Sequence, residues 1–233
     1  MVKLKINNLT VNYGNKNILD NISITLTSGK IYGLVGSNGT GKSTFIKAIF
    51  GINKKTNGDI FLNEEKINKN ILKKFFSYVP QRSEIDLNFP INIFDLVLMG
   101  IESQKKILDP INENDKNKVN NILEKMELTD LRNRLLSDVS GGQRQRALVA
   151  RSLIQDANVY ILDEPFIGID DKSETIILSL LKEMKKKNKL ILVAHHDLNK
   201  IERYFDDLIV FKNKKINEQT PKNYVAEILR EAR

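Results

Sequence analysis

The stretch Gly36-Ser37-Asn38-Gly39-Thr40-Gly41-Lys42-Ser43-Thr44 places glycine, lysine and hydroxyl groups at the spacing G-x-x-x-x-G-K-S/T. That spacing suits a grip on a triphosphate. Glycines let the backbone turn tightly and aim its N–H groups inward, where a side chain would collide with a bound phosphate. Lys42 supplies a mobile positive charge for the terminal phosphates, and Ser43 offers a hydroxyl to Mg²⁺. The run Thr44 to Phe50 reads as a helix whose N-terminus adds partial positive charge beneath the phosphates, with Gly51 as its C-terminal cap.

A second chemical group stands at Asp163-Glu164, where two carboxylates close the apolar run Val159-Tyr160-Ile161-Leu162. Acids at the end of a buried strand need a partner or a task. A turn acid ahead of Pro165 is the competing reading. Beside a phosphate loop, Asp163 fits the acid that holds Mg²⁺, and Glu164 fits a general base for an attacking water. Ser140-Gly141-Gly142-Gln143 reads as another Gly-rich turn, opening a helix from Gln143 to Ile154, which a solitary phosphate loop does not explain. Gln81 follows an apolar run stopped by Pro80, and Gly168-Ile169-Asp170 and His195-His196-Asp197 complete the set.

In this order and at these intervals the motifs resemble the ATP-binding subunit of ABC transporters over essentially the whole chain, with mild departures at Val139, Ala194 and His195. The resemblance implies that residues 36–44 hold ATP and that Tyr13 stacks on its adenine. It makes Lys42, Gln81, Glu164 and His196 the catalytic set, His196 by a hydrogen bond to the γ-phosphate, and Ser43, Gln81 and Asp163 the contacts to Mg²⁺. Ser140, Gly141, Gly142, Gln143 and Asp170 would serve ATP held by a second copy in a head-to-tail dimer. A narrower likeness runs through Val79-Pro80-Gln81-Arg82-Ser83-Glu84-Ile85-Asp86, Phe89-Pro90, Val97-Leu98-Met99-Gly100 and the doubled His195-His196. It resembles the branch serving manganese, zinc or iron uptake. The segments Gln81 to Asn88 and Ile93 to Gly100 would then dock a permease helix, with Arg82 and Glu84 at the rim and Ile85 exposed.

These groups need elements to carry them. Val2 to Ile6 and Ile22 to Leu26 alternate and predict antiparallel strands, with Tyr13 in a loop between them. Ile31 to Val35, Gly58 to Leu62, Phe76 to Val79, Val159 to Leu162, Leu190 to Val193 and Leu208 to Phe211 read as further strands. Asn92 caps a helix closed by Gly100, Asn114 to Met126 shows a helical face, and Lys172 to about Lys187 makes a βαβ unit with its flanking strands. A last helix follows Thr220-Pro221. The fold class expected is α/β: a P-loop NTPase core with a mixed parallel sheet, an antiparallel β-subdomain and an inserted helical lobe. A single domain is expected, with 1–81 and 156–233 as nucleotide-binding core and 82–155 as the lobe.

The 233 residues are 41% hydrophobic and 28% charged, ordinary for a globular chain able to bury a core. The net charge of +8 is diffuse, and the chain has neither the internal repeat nor the sustained heptads that soluble, nucleic-acid-acting proteins of the family it resembles commonly carry, so no nucleic-acid partner is expected. With no cysteine there is no disulfide or thiolate site. The absence of a signal-like N-terminus and of an apolar run near roughly 18 residues predicts a cytoplasmic protein. The function expected is an ATPase subunit, peripheral on the cytoplasmic membrane face, driving metal-ion transport through an integral permease and indirectly a substrate-binding protein. The alternatives are iron-chelate or haem transport, and a soluble ATPase acting on nucleic acid.

Overall fold

A computed structural model describes residues 1–52, 56–81, 86–102, 105 and 109–231. In chain order its elements are β1 (Lys3–Tyr13), β2 (Lys16–Thr27), β3 (Lys30–Val35), α1 (Lys42–Ile49), β4 (Thr56–Leu62), β5 (Glu65–Lys66), α2 (Lys69–Phe75) and β6 (Phe76–Val79). There follow α3 (Ile93–Glu102), α4 (Glu113–Lys125), α5 (Gly141–Leu153), β7 (Val159–Asp163) and α6 (Asp171–Lys186). The chain closes with β8 (Leu190–Ala194), α7 (Ile201–Tyr204), β9 (Asp207–Lys212), β10 (Lys215–Gln219) and α8 (Pro221–Glu231). Two compact units result: Met1–Leu72 with Met184–Arg233, and Lys73–Glu183. The span 82–155 expected as a lobe falls inside the second unit, which also takes in β6 and β7.

In the first unit, β2, β1, β4 and β5 form an antiparallel sheet in that order. Alternation sets its register: Leu4 pairs with Leu26 and Leu62, and Ile6 with Ile24 and Ile60, so that Leu4, Ile6, Leu26 and Leu62 share the buried face while Lys3 and Lys5 face solvent. Tyr13 is not in a loop but ends β1, paired with Lys16. The second sheet of this unit runs β10-β9-β3-β8, with β3 parallel to both neighbours. Strands covered on two faces read as unbroken apolar runs, and Ile31 to Val35 and Leu190 to Ala194 are buried throughout. β10 carries one apolar residue among polar ones, so no alternation announced it; it pairs with β9 across a two-residue turn in which Asn213 and Lys214 both take positive φ.

In the second unit β6 and β7 are parallel, Phe76 opposite Val159 and Val79 opposite Leu162. Asn92 caps α3 as expected, accepting from the Asp95 amide at 2.8 Å. Gly100 does not close this helix, which continues to Glu102. The glycine is buried against α5, where an added Cβ would strike the Arg151 carbonyl oxygen and come within 2.6 Å of Ile154 Cγ2. It is a close-packing residue, retained in mid-helix because the facing backbone leaves no room. Asn112 caps α4 through a capping box with Asp115, and Val119, Leu123 and Met126 are buried along one face.

Candidate functional site

The first unit carries the phosphate loop between β3 and α1, both anchored in the core. Gly36, Gly39 and Gly41 all have positive φ, at 147°, 82° and 111°. At two of them glycine is required twice over. A Cβ on Gly36 would lie 2.6 Å from the Phe211 carbonyl oxygen, and one on Gly41 would lie 2.7 Å from a Leu19 methyl. Lys42 is buried, and its Nζ donates to the carbonyl oxygens of Gly36 at 2.6 Å and Ser37 at 3.1 Å. Thr40 Oγ1 closes the turn on Ser37 O at 2.8 Å. Ser43 is exposed and Thr44 half-buried at the start of α1, whose first turn holds no acid, so the helix end keeps its partial positive charge. At the other end the N–H groups of Gly51 and Ile52 bond Ala48 and Lys47 carbonyls, the Schellman closure expected of Gly51.

A cleft of about 430 Å³ opens beside this loop, its lining including Gly36, Ser37, Asn38, His196, Phe211 and Tyr224. His196 is exposed to it, whereas His195 is buried. Tyr13, 48% exposed, is not among its walls.

In the second unit Asp163 ends β7 and is buried, and Glu164 follows in a left-handed conformation, φ 54°. That conformation is unfavourable for a glutamate, so the surroundings must hold it. Gln81 Nε2 donates to Glu164 Oε2 at 2.5 Å, bringing two of the expected catalytic residues together. Gly141 and Gly142 do not form a separate turn: they are the first residues of α5, with Ser140 as its cap. Ser140 Oγ accepts from the Gln143 amide at 3.2 Å, and Gln143 Oε1 accepts from the Ser140 amide at 2.9 Å. The S-x-x-Q spacing of a capping box was legible in the sequence.

Asp170 acts within its own chain as a helix cap. It accepts from the Ser173 amide at 2.8 Å and hydroxyl at 2.9 Å, bonds that hold its carboxyl below the usual range. Its Oδ2 also occupies the space a side chain at Gly142 would need. Arg144 escaped the sequence reading. It is buried and donates to the carbonyls of Leu136, Ser137 and Val139 at 3.0, 3.3 and 3.2 Å, fixing the approach to Ser140. Nothing in its spacing distinguishes it from other arginines of α5.

The family described as ABC transporter matches residues 19–167, which take in the phosphate loop, Ser140 to Gln143 and the acid pair. The chain belongs to the ABC transporter family. As a cassette of that family it binds and hydrolyses ATP. It is 40% identical over 218 residues, 94% of this chain and 90% of the relative, to the manganese transport system ATP-binding protein MntB of Listeria monocytogenes serovar 1/2a. The protein of that name from Bacillus subtilis is 39% identical over 216 residues, covering 93% and 86% of the two chains. A solved nucleotide-free ATP-binding cassette from an ABC transporter shares the fold, with TM-score 0.85, 24% identity and 99% and 96% coverage.

Burial pushes the imidazole of His195 down to about 4 from its ordinary 6.5, against the attraction of Asp197. Well above pH 6.5 the ring is neutral in the folded and unfolded cassette alike. As the pH falls from about 6.5 toward about 4 the unfolded chain takes the proton first, so stability is lost across that window. Between pH 7 and pH 5 the loss is about 2 kcal/mol, and His195→Phe removes that share of it. Urea unfolding of both proteins at the two pH values checks this; an equal loss in the variant assigns the pH dependence to other groups.

Proposed function

We propose that this ABC cassette holds MgATP on residues 36–44, with Tyr13 on the adenine, and closes head to tail on a second copy through Ser140, Gly141, Gly142, Gln143 and Asp170. The cycle drives uptake of a metal ion, manganese, zinc or iron, through a separate integral permease at the cytoplasmic membrane face, fed indirectly by a substrate-binding protein. The Gln81 to Glu164 hydrogen bond at 2.5 Å carries the catalytic part of this reading, because it couples the glutamine two residues past β6 to the carboxylate directly after β7. Manganese among the cargoes is favoured by the two MntB relatives at about 40% identity. No helix among the described residues is long and apolar enough to cross a membrane.

Among the described residues no three His, Asp or Glu side chains gather to hold a resident metal. The chemistry of the donors fits an ion that arrives with the nucleotide: one buried carboxylate, Asp163, the Ser43 hydroxyl and the Gln81 amide oxygen are hard ligands of the kind Mg²⁺ combines with phosphates. Held by ligands of this kind, Mg²⁺ would neutralise charge on the phosphates. Lys42 adds a charge-assisted hydrogen bond, Glu164 accepts the proton of the attacking water, and His196 holds the γ-phosphate. Glu164→Gln should keep ATP binding and slow hydrolysis by about 10²- to 10⁴-fold, the usual worth of a positioned base. It should also sediment as a dimer with MgATP and as a monomer without it. Unchanged turnover removes Glu164 from the role, and a monomer at saturating MgATP removes the clasp.

For the permease, the segment 86–102 exposes Leu87, Phe89 and Met99, at 38, 62 and 38%, next to an α3 whose Ile93, Leu96 and Val97 are already buried. Apolar side chains exposed on an otherwise satisfied helix and on the segment before it suit a short partner helix. Arg82, Glu84 and Ile85, expected at this surface, lie outside the described residues. Phe89→Glu should leave the melting temperature and ATP affinity within error while abolishing co-purification with the membrane subunit. A variant that still assembles places docking elsewhere.

A further inference from the structure

His195 is the buried titratable group that the proposed chemistry leaves unused. We propose that it is a positioning residue, a ring wedge that fixes the direction in which His196 meets the phosphate loop. The inference rests on the reading of His196 as the γ-phosphate contact.

β8 pairs with β3 as far as Leu34 opposite Ala194, and the His195 amide then donates to the Leu34 carbonyl at 3.0 Å. Leu34 stands two residues before Gly36. The segment that presents His196 is thereby tied to the strand that launches the phosphate loop. One hydrogen bond fixes a position but not a direction, because the chain leaves β8 here and turns toward α7.

The side chain supplies the second constraint. The ring centroid of His195 lies 5.6 Å from that of Tyr204, 5.6 Å edge-on from that of Phe205, and 6.0 Å from that of His196. Phe205 is itself wedged under β3, where a Cβ on Gly33 would come within 2.7 Å of its ring. A path of packed rings therefore runs from β3 through Phe205 to His195, and His196 is the next residue, facing the cleft with Gly36, Ser37 and Asn38. A ring held on two sides cannot swing without disturbing its neighbours, whereas a small residue there would let His196 turn about its backbone. Among the described residues the charged and titratable groups around His195 include Asp197, Lys200, His196 and Tyr204; burial of the ring keeps it uncharged near neutrality, against the attraction of Asp197 and a hydrogen bond to the Asp197 backbone.

Purified chain with saturating MgATP tests this through kcat and KM for His195→Ala, His195→Phe and His196→Ala, each verified as folded by its thermal transition. His195→Ala should lower kcat about 10-fold with KM for ATP within about twofold, since a misdirected group acts on the reaction more than on binding. His195→Phe should restore kcat to within about threefold of wild type. If His195→Ala does not fold, His195→Val is read by the same criterion. The ring signals of the only two histidines give a second readout. The His196 signal should move in His195→Ala and stay in place in His195→Phe. Wild-type kcat in His195→Ala, or a Phe variant as slow as the Ala variant, overturns the proposal while a slow His196→Ala leaves the parent reading standing. Wild-type kcat in His196→Ala overturns the parent reading and this inference with it.

Discussion

A buried ammonium must be answered by oxygen, and at Lys42 the phosphate loop answers it: Nζ holds the Gly36 and Ser37 carbonyls at 2.6 and 3.1 Å. Those contacts point the two carbonyls toward the lysine and leave the intervening amides to face the other way, where an anion can meet them. The geometry is possible because Gly36 and Gly41 lie flat on Phe211 and Leu19, with no room for a side chain at either place. Leu19 comes from β2 and Phe211 from β9, so both sheets of the first unit converge on the loop.

The second unit solves a parallel problem with different residues. Ser140 and Gln143 cap α5 reciprocally, Arg144 ties down the three carbonyls ahead of them, and Asp170 sits on Gly142 while capping α6. Helix starts fixed in this way present amides in a defined direction, the same physics that serves at α1. Glu164 is held beside Gln81 in a conformation that costs energy, which is tolerable only where the surrounding contacts outweigh the strain.

Much of this was legible in the chain itself. Strict spacing marked residues 36–44, alternation marked the first two strands, and unbroken apolar runs marked β3, β7 and β8. What escaped depends on partners distant in sequence. β10 has a polar composition and exists as a strand through its register with β9, Gly100 imitates a helix stop but answers to the carbonyl of Arg151, and Arg144 looks like any surface arginine until its three acceptors are seen. Tyr13, read as a loop residue, belongs to β1 because pairing with Lys16 carries the strand to the hairpin turn. His195 shows the same limit, since adjacency to His196 gave no hint that one ring is buried and the other exposed.

The central claim is that the Lys42-braced loop is the grip on the triphosphate, and calorimetric titration of MgATP into wild type and Lys42→Ala tests it most directly. Loss of a charge-assisted contact to phosphate should weaken binding about 10- to 100-fold, with a melting transition showing that the variant is folded. Equal affinity in the folded variant would contradict the account, because the phosphates would then be held by groups other than this loop's lysine.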